Sequence, residues 1–206
     1  MVASFVLRDP VLQPILEGLH YESEAQHYRI IIILFNWLGF IFDLLGLTWL
    51  PSAATEVFDS VMRDKSVALE QDKAEFCYLL LRAIDAKTVV EVGTSFGVST
   101  IYLAAGVRDN RHEERGVVIG TEFEPTKAAR ARQNWERTKL TKWIKLLEGD
   151  VRETLKDMHF DDPIDFVLMD IWCPMALSSL KNLLPSLKKG KSLHDALSDR
   201  RDCGHR

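Results

Sequence analysis

A chain of 206 residues with 47% hydrophobic content carries enough apolar material for one ordinary α/β core plus an N-terminal extension. Its formal net charge of -4 argues against a broad basic surface for nucleic acid and favours a small-molecule substrate. Three scattered cysteines, Cys77, Cys173 and Cys203, make neither a disulfide framework nor a zinc knuckle and suit a reducing, cytoplasmic setting.

In chain order, Met1 to Arg29 reads as an amphipathic helix around E-S-E-A-Q, and the early Arg8, Asp9 and Pro10 do not suit a signal peptide. The run Ile30 to Leu50 is apolar and long enough to span a bilayer, with Asn36 and Asp43 opposing insertion. Three readings stand side by side: a membrane anchor, a helix pair broken at Gly39 or Gly46 and buried on the core or in a homodimer interface, and translated intron sequence. The expected organisation is a helical extension over 1–62, one catalytic domain over 63–190, and a polar tail over 191–206.

From Phe76 onward helical and strand patterns alternate, as a parallel sheet with crossover helices requires. Phe76, Leu79, Leu80 and Ala83 recur at helical spacing, and strands are predicted near Thr88 to Val92, Val117 to Thr121, Ile144 to Leu147 and Ile164 to Met169. A helix starts at Pro125, where a missing N–H costs little. Between the first strand and its helix lies V-V-E-V-G-T-S-F-G-V-S-T, Val89 to Thr100. Gly93 permits backbone angles closed to other residues, and Gly97 permits close approach of a ligand. Ser95 and Val98 stand where a dinucleotide fingerprint needs glycine, which argues against hydride transfer on a nicotinamide, and no Gly-Lys-Ser/Thr follows for a triphosphate loop. Right-handed crossovers bring Glu91, Glu122, Asp150 and Asp170 to one sheet edge, where open sheets bind ligands. Each has a plainer alternative: Glu91 or Asp150 as a helix cap, Glu122 as a partner of the following helix N-terminus. Ser95 and Ser99 are candidates for contact with a bound ligand, and Ser99 alternatively bonds backward within its helix.

Four motifs in order resemble those of the Rossmann-like S-adenosylmethionine-dependent methyltransferases, specifically the small O-methyltransferases related to the catechol and caffeoyl-coenzyme A enzymes. These are the Val89 to Thr100 loop, G-V-V-I-G-T-E-F-E-P at Gly116 to Pro125, L-L-E-G-D-V at Leu146 to Val151, and I-D-F-V-L-M-D-I-W at Ile164 to Trp172. The resemblance spans roughly Asp64 to Gly190 and implies a Rossmann-like α/β sheet with N-terminal helices. It implies cofactor binding by Glu91, Gly93, Thr94, Ser99, Glu122, Asp150 and Val151. Glu122 would take both ribose hydroxyls, and Asp150 with Val151 would flank the adenine. Asp170 would serve as catalytic and metal-ligating residue, with Mg2+ as a possible second cofactor, and Trp172 would wall the acceptor pocket or belong to the core.

The chain departs from these relatives at two places. Cys173 stands where they carry a lysine, and after Gly190 no strand-length apolar run and no Asp-Asn pair follow. The sheet is therefore expected to lack its last strands and to expose the fourth as an edge. His194, Cys203 and His205 in the tail match no known metal spacing. The expected function is O-methyl transfer to a small hydroxylated acceptor, phenolic or natural-product-like, and the alternative is a truncated, non-catalytic relative that at most binds the cofactor or a partner.

Overall fold

The computed structural model describes residues 7–25, 68–110, 116–156, 158–171 and 173–189. The apolar segment 30–50, the division near residue 62, Trp172 and the tail 191–206 lie outside the described residues, as does the Cys173 side chain. Among the described residues, no helix is long and apolar enough to cross a membrane.

The N-terminal helix α1 covers Leu12–Ala25 and α2 covers Gln71–Ala83. There follow β1 (Thr88–Val92), α3 (Val98–Asp109), β2 (Val117–Glu122), α4 (Pro125–Thr138), β3 (Ile144–Glu148), the single turn α5 (Val151–Thr154), β4 (Phe166–Met169) and α6 (Cys173–Leu183). The four strands form one parallel sheet in the order β3-β2-β1-β4. β1 is central and buried along its whole length, as expected of T-V-V-E-V in a sheet covered on both faces. The direction of winding reverses between β1 and β4, so the carboxyl ends of those strands border the crevice where ligands bind in open α/β sheets.

Two apolar cores lie on the two faces of the sheet. Val89 and Val118 face the larger, with Leu12, Leu16 and Leu19 of α1, Cys77 and Leu81 of α2, most of α3, and Ala131 and Trp135 of α4. Val90, Val92 and Ile119 face the smaller, with Val151 of α5, Leu155 just after it and Leu183 of α6. The strict alternation of Val89 and Val90 between the cores follows from the two-residue period of a strand.

The predicted strands agree with the observed ones at β1, and β2 and β3 run one residue further. β4 begins only at Phe166, because Ile164 bridges outward to Leu187 instead. That bridge starts a fourth parallel pairing on the outer side of β4: Ile164 N–H donates to Ser186 C=O and Lys188 N–H to Ile164 C=O, both at 2.8 Å. Helix α2 forms as its spacing predicts, yet it turns the other stripe inward. Ala74, Cys77 and Leu81 are buried, whereas Phe76 is 64% exposed and Leu79 is exposed as well. Apolar periodicity locates a helix but cannot choose between two apolar stripes.

Candidate functional site

At the carboxyl edge, the sharp turn after β1 is set by two glycines with left-handed backbones, Gly93 at φ 96 and Gly97 at φ 77. A Cβ on Gly93 would stand 2.2 Å from the Asp170 carbonyl oxygen, so this glycine lets the loop lie directly on the chain leaving β4. Gly97 differs from the expectation that it makes room for a ligand. A Cβ there would meet Trp135 Nε1 at 2.4 Å, and the indole N–H donates to Gly97 C=O at 3.0 Å. Asn134 Nδ2 donates to Phe96 C=O at 3.0 Å. Helix α4 thus pins the loop by two side chains. Sequence reading missed both, because the partners are 38 residues apart and no local spacing links them.

Glu91 does not stand on the open edge. It is the fourth residue of β1, fully buried, and it accepts hydrogen bonds from Thr94 Oγ1 at 3.0 Å, Ser99 Oγ at 2.5 Å and Thr100 Oγ1 at 2.5 Å. Burial pushes its carboxyl up to about 7, the three hydroxyls oppose that shift, and the Asp170 charge adds to it. The acid therefore ties the glycine loop and the first turn of α3 to the central strand. Thr94 is spent inward too: its N–H donates to Thr121 C=O and its C=O accepts from Gly97 N–H, each at 2.9 Å. The space for its hydroxyl exists because residue 120 is glycine, where a Cβ would come within 2.4 Å of Thr94 Oγ1. Ser99 bonds back to Glu91, not within its helix. Thr100 is the member of this cluster that the sequence reading passed over.

Glu122, the last residue of β2, is partly exposed at the carboxyl edge of the sheet. Its Oε2 accepts the Ser95 backbone N–H at 2.7 Å and its Oε1 the Glu124 backbone N–H at 2.8 Å. Partial burial raises its pKa, while those backbone donors and Lys127 pull it down. Each oxygen keeps a further lone pair in a fixed direction, so the carboxylate can accept from two neighbouring hydroxyls of one ligand. Nearby, the Ser95 hydroxyl is buried with no hydrogen-bond partner. A preset carboxylate, an orphaned hydroxyl and a glycine loop together fit the ribose half of an adenosyl cofactor.

Asp150 is the N-cap of α5, accepting from Arg152 N–H at 2.9 Å. The Arg152 guanidinium clamps the same carboxylate and, with that backbone bond, holds it down to about 2. Val151 is buried behind it in the smaller core. Asp170 follows β4 with its N–H on Val92 C=O at 2.9 Å. The residue is open to solvent on its outer side, yet the protein packed around it raises its pKa, and Lys73 of α2 partly opposes the shift. Among the described residues, no three His, Cys, Asp or Glu side chains converge as a metal site.

Comparison with known proteins agrees with this geometry. A family model described as "Methyltransferase domain" matches residues 90–194. A catechol O-methyltransferase of Mycobacterium tuberculosis is 33% identical over 104 residues, 50% of this chain and 44% of that protein. One from Niastella koreensis is 31% identical over 135 residues, 64% of this chain and 58% of that protein. The chain spans about half the length of these relatives. Among solved structures, an O-methyltransferase from Bacillus cereus in complex with SAH superposes with a TM-score of 0.57 at 24% identity, covering 65% of this chain and 59% of that one. TomG from Streptomyces achromogenes, in complex with SAM, gives 0.55 at 22%, covering 60% and 54%. At such identities these two show the fold, a Rossmann-like α/β sheet. With the family model running from within β1 through β4 and covering half of the sequence, this chain belongs to the methyltransferase-domain family.

Proposed function

We propose that this protein binds S-adenosylmethionine at the β1–β4 crevice and serves methyl transfer to the oxygen of a small hydroxylated acceptor, phenolic or natural-product-like. The observation that carries this reading is the Glu122 carboxylate, aimed by two backbone N–H groups beside the glycine loop at the point where strand order reverses. Glu122 accepts from the ribose hydroxyls, and Asp150 with Val151 borders the adenine. Gly93 keeps the loop low enough for the nucleoside to lie against backbone. The open N-terminus of α3, a 12-residue helix with no side-chain cap, favours the cofactor's carboxylate. Glu91, Thr94 and Ser99 act as positioning residues, because their side chains are spent on one another beneath the loop. The bound cofactor supplies an electrophilic methyl on a sulfonium. Asp170 at the mouth contacts the acceptor hydroxyl and orients it toward that methyl, so the protein contributes chiefly alignment and exclusion of water.

The test is isothermal titration of the purified chain with S-adenosylhomocysteine, beside Glu122→Ala. We expect saturable micromolar binding, weakened at least about tenfold in the variant because a charge-assisted contact is lost. A wild-type chain that is folded by circular dichroism yet binds nothing overturns this reading.

A further inference from the structure

Among the described residues, two buried side-chain oxygens lack a hydrogen-bond partner, Ser95 Oγ and Thr154 Oγ1. Buried polar atoms are nearly always paired, so each orphan needs a cause. Ser95 departs from the ordinary in a second way: it holds a left-handed backbone at φ 50, which non-glycine residues adopt at a cost and which recurs at ligand sites. That conformation is fixed by its neighbours, since Gly97 N–H closes a turn onto Thr94 C=O and the Ser95 N–H is held by Glu122. The loop thus spends strain to place Ser95 against the Glu122 carboxylate, and leaves its hydroxyl with nothing to bond.

The chemistry beside it says what is missing. A carboxylate only accepts, so a ligand group held by Glu122 must be a donor such as a hydroxyl. A hydroxyl that gives its proton to Glu122 still has lone pairs, and a second protein donor is needed to satisfy them in a closed site. A serine hydroxyl can donate there, and one rotation about its Cα–Cβ bond redirects it.

We propose that Ser95 is a further binding residue of this site, its hydroxyl turning from its orphaned position onto a ribose hydroxyl of the S-adenosyl ligand that Glu122 accepts from. The inference rests on the cofactor reading above and adds to it a residue that selects the intact ribose diol over a deoxy ligand.

Titration of wild type, Ser95→Ala and Ser95→Gly with S-adenosylhomocysteine and with its 2′-deoxy and 3′-deoxy forms tests this. Glycine suits the left-handed backbone, so a folding defect in the alanine variant does not spoil the comparison. Both variants should bind S-adenosylhomocysteine about threefold to tenfold more weakly, as loss of one hydrogen bond implies. The deficit should vanish with whichever deoxy ligand lacks the contacted hydroxyl. Unliganded Ser95→Gly should melt no lower than wild type, because an orphan and a strained backbone are removed together. Thr154→Val, which removes the other orphan, should bind all three ligands as wild type does. Unchanged affinity in both Ser95 variants, or an equal deficit with all three ligands, overturns the proposal while leaving the cofactor reading intact. A wild-type chain that binds none of them overturns both.

Discussion

A carboxylate at the centre of a sheet would ordinarily be a liability, and Glu91 is tolerated because three hydroxyls face it. Its pKa makes a stability prediction. The side chain titrates at 4.5 when unperturbed and at about 7 in the folded protein, where burial is the dominant cause. Between those values the folded state keeps a proton that the unfolded chain has released. The stabilisation is thus present below pH 4.5 and is lost as pH rises to about 7. The full swing is about 3 kcal/mol. Glu91→Gln removes the titration while filling the same space, so urea denaturation at pH 5 and pH 8 should show a steeper loss in wild type than in the variant. Parallel losses in both would sink the assignment. At this scale the sequence placed Glu91 at the sheet edge, and the structure buries it beneath the loop and α3, whereas Glu122, the last residue of β2, is partly exposed.

Among the elements, α1 is fastened to the α/β layer by polar contacts at several points along its length. Asp9 caps its first turn through Val11 N–H at 2.9 Å and pairs with Arg108 of α3 at 2.8 Å. His20 shares a buried hydrogen bond of 3.1 Å with Tyr102 of α3, and Ser23 Oγ accepts from Ala68 N–H at 3.1 Å just before α2. Burial holds the His20 imidazole below its usual pKa, against the pull of Glu24 on α1 and Glu75 on α2. The unfolded chain takes up a proton below 6.5 that folded His20 resists, so this contribution is complete above that pH and declines as pH falls. Amide exchange within α1 should therefore accelerate from pH 7 to pH 5.5 relative to exchange in β1. His20→Phe, which cannot titrate, should show a smaller pH effect, and an equal effect in the variant would refute this role. The pattern E-S-E-A-Q announced an amphipathic helix, but nothing local announced Tyr102, 82 residues away.

Across the whole molecule, the sheet is covered unevenly. β1 is sealed on both faces, whereas every residue of β4 is only half-buried. Beside β4, helix α6 and the 3-10 turn that follows it show an outward stripe of Leu177 at 62% exposure with Leu180 and, in the turn, Leu184, on the face opposite to the exposed Phe76 and Leu79 of α2. The charges at this flank are local: Lys188 pairs with Asp165 at 2.6 Å, and the other Asp165 oxygen takes the Lys87 and Thr88 N–H groups, so they brace the strand starts and leave the stripe apolar. Contiguous exposed apolar residues promote association. Replacing Leu177 and Leu184 together with lysine should reduce the average mass seen by light scattering at high concentration without loss of helix by circular dichroism. An unchanged mass would locate any association elsewhere.

The positions of the strands along the chain, the parallel sheet, the glycine turn at Gly93 and the chain positions of the four acids followed from sequence, because strand period and glycine freedom are properties of short segments. Which acids face the crevice did not. Glu91 and Glu122 differ by where the sheet ends and by what packs across it, and Gly97 answers to Trp135 of another helix, not to a ligand. Those assignments depend on contacts between residues distant in the chain, and such contacts exist only once α3, α4 and the sheet are packed together.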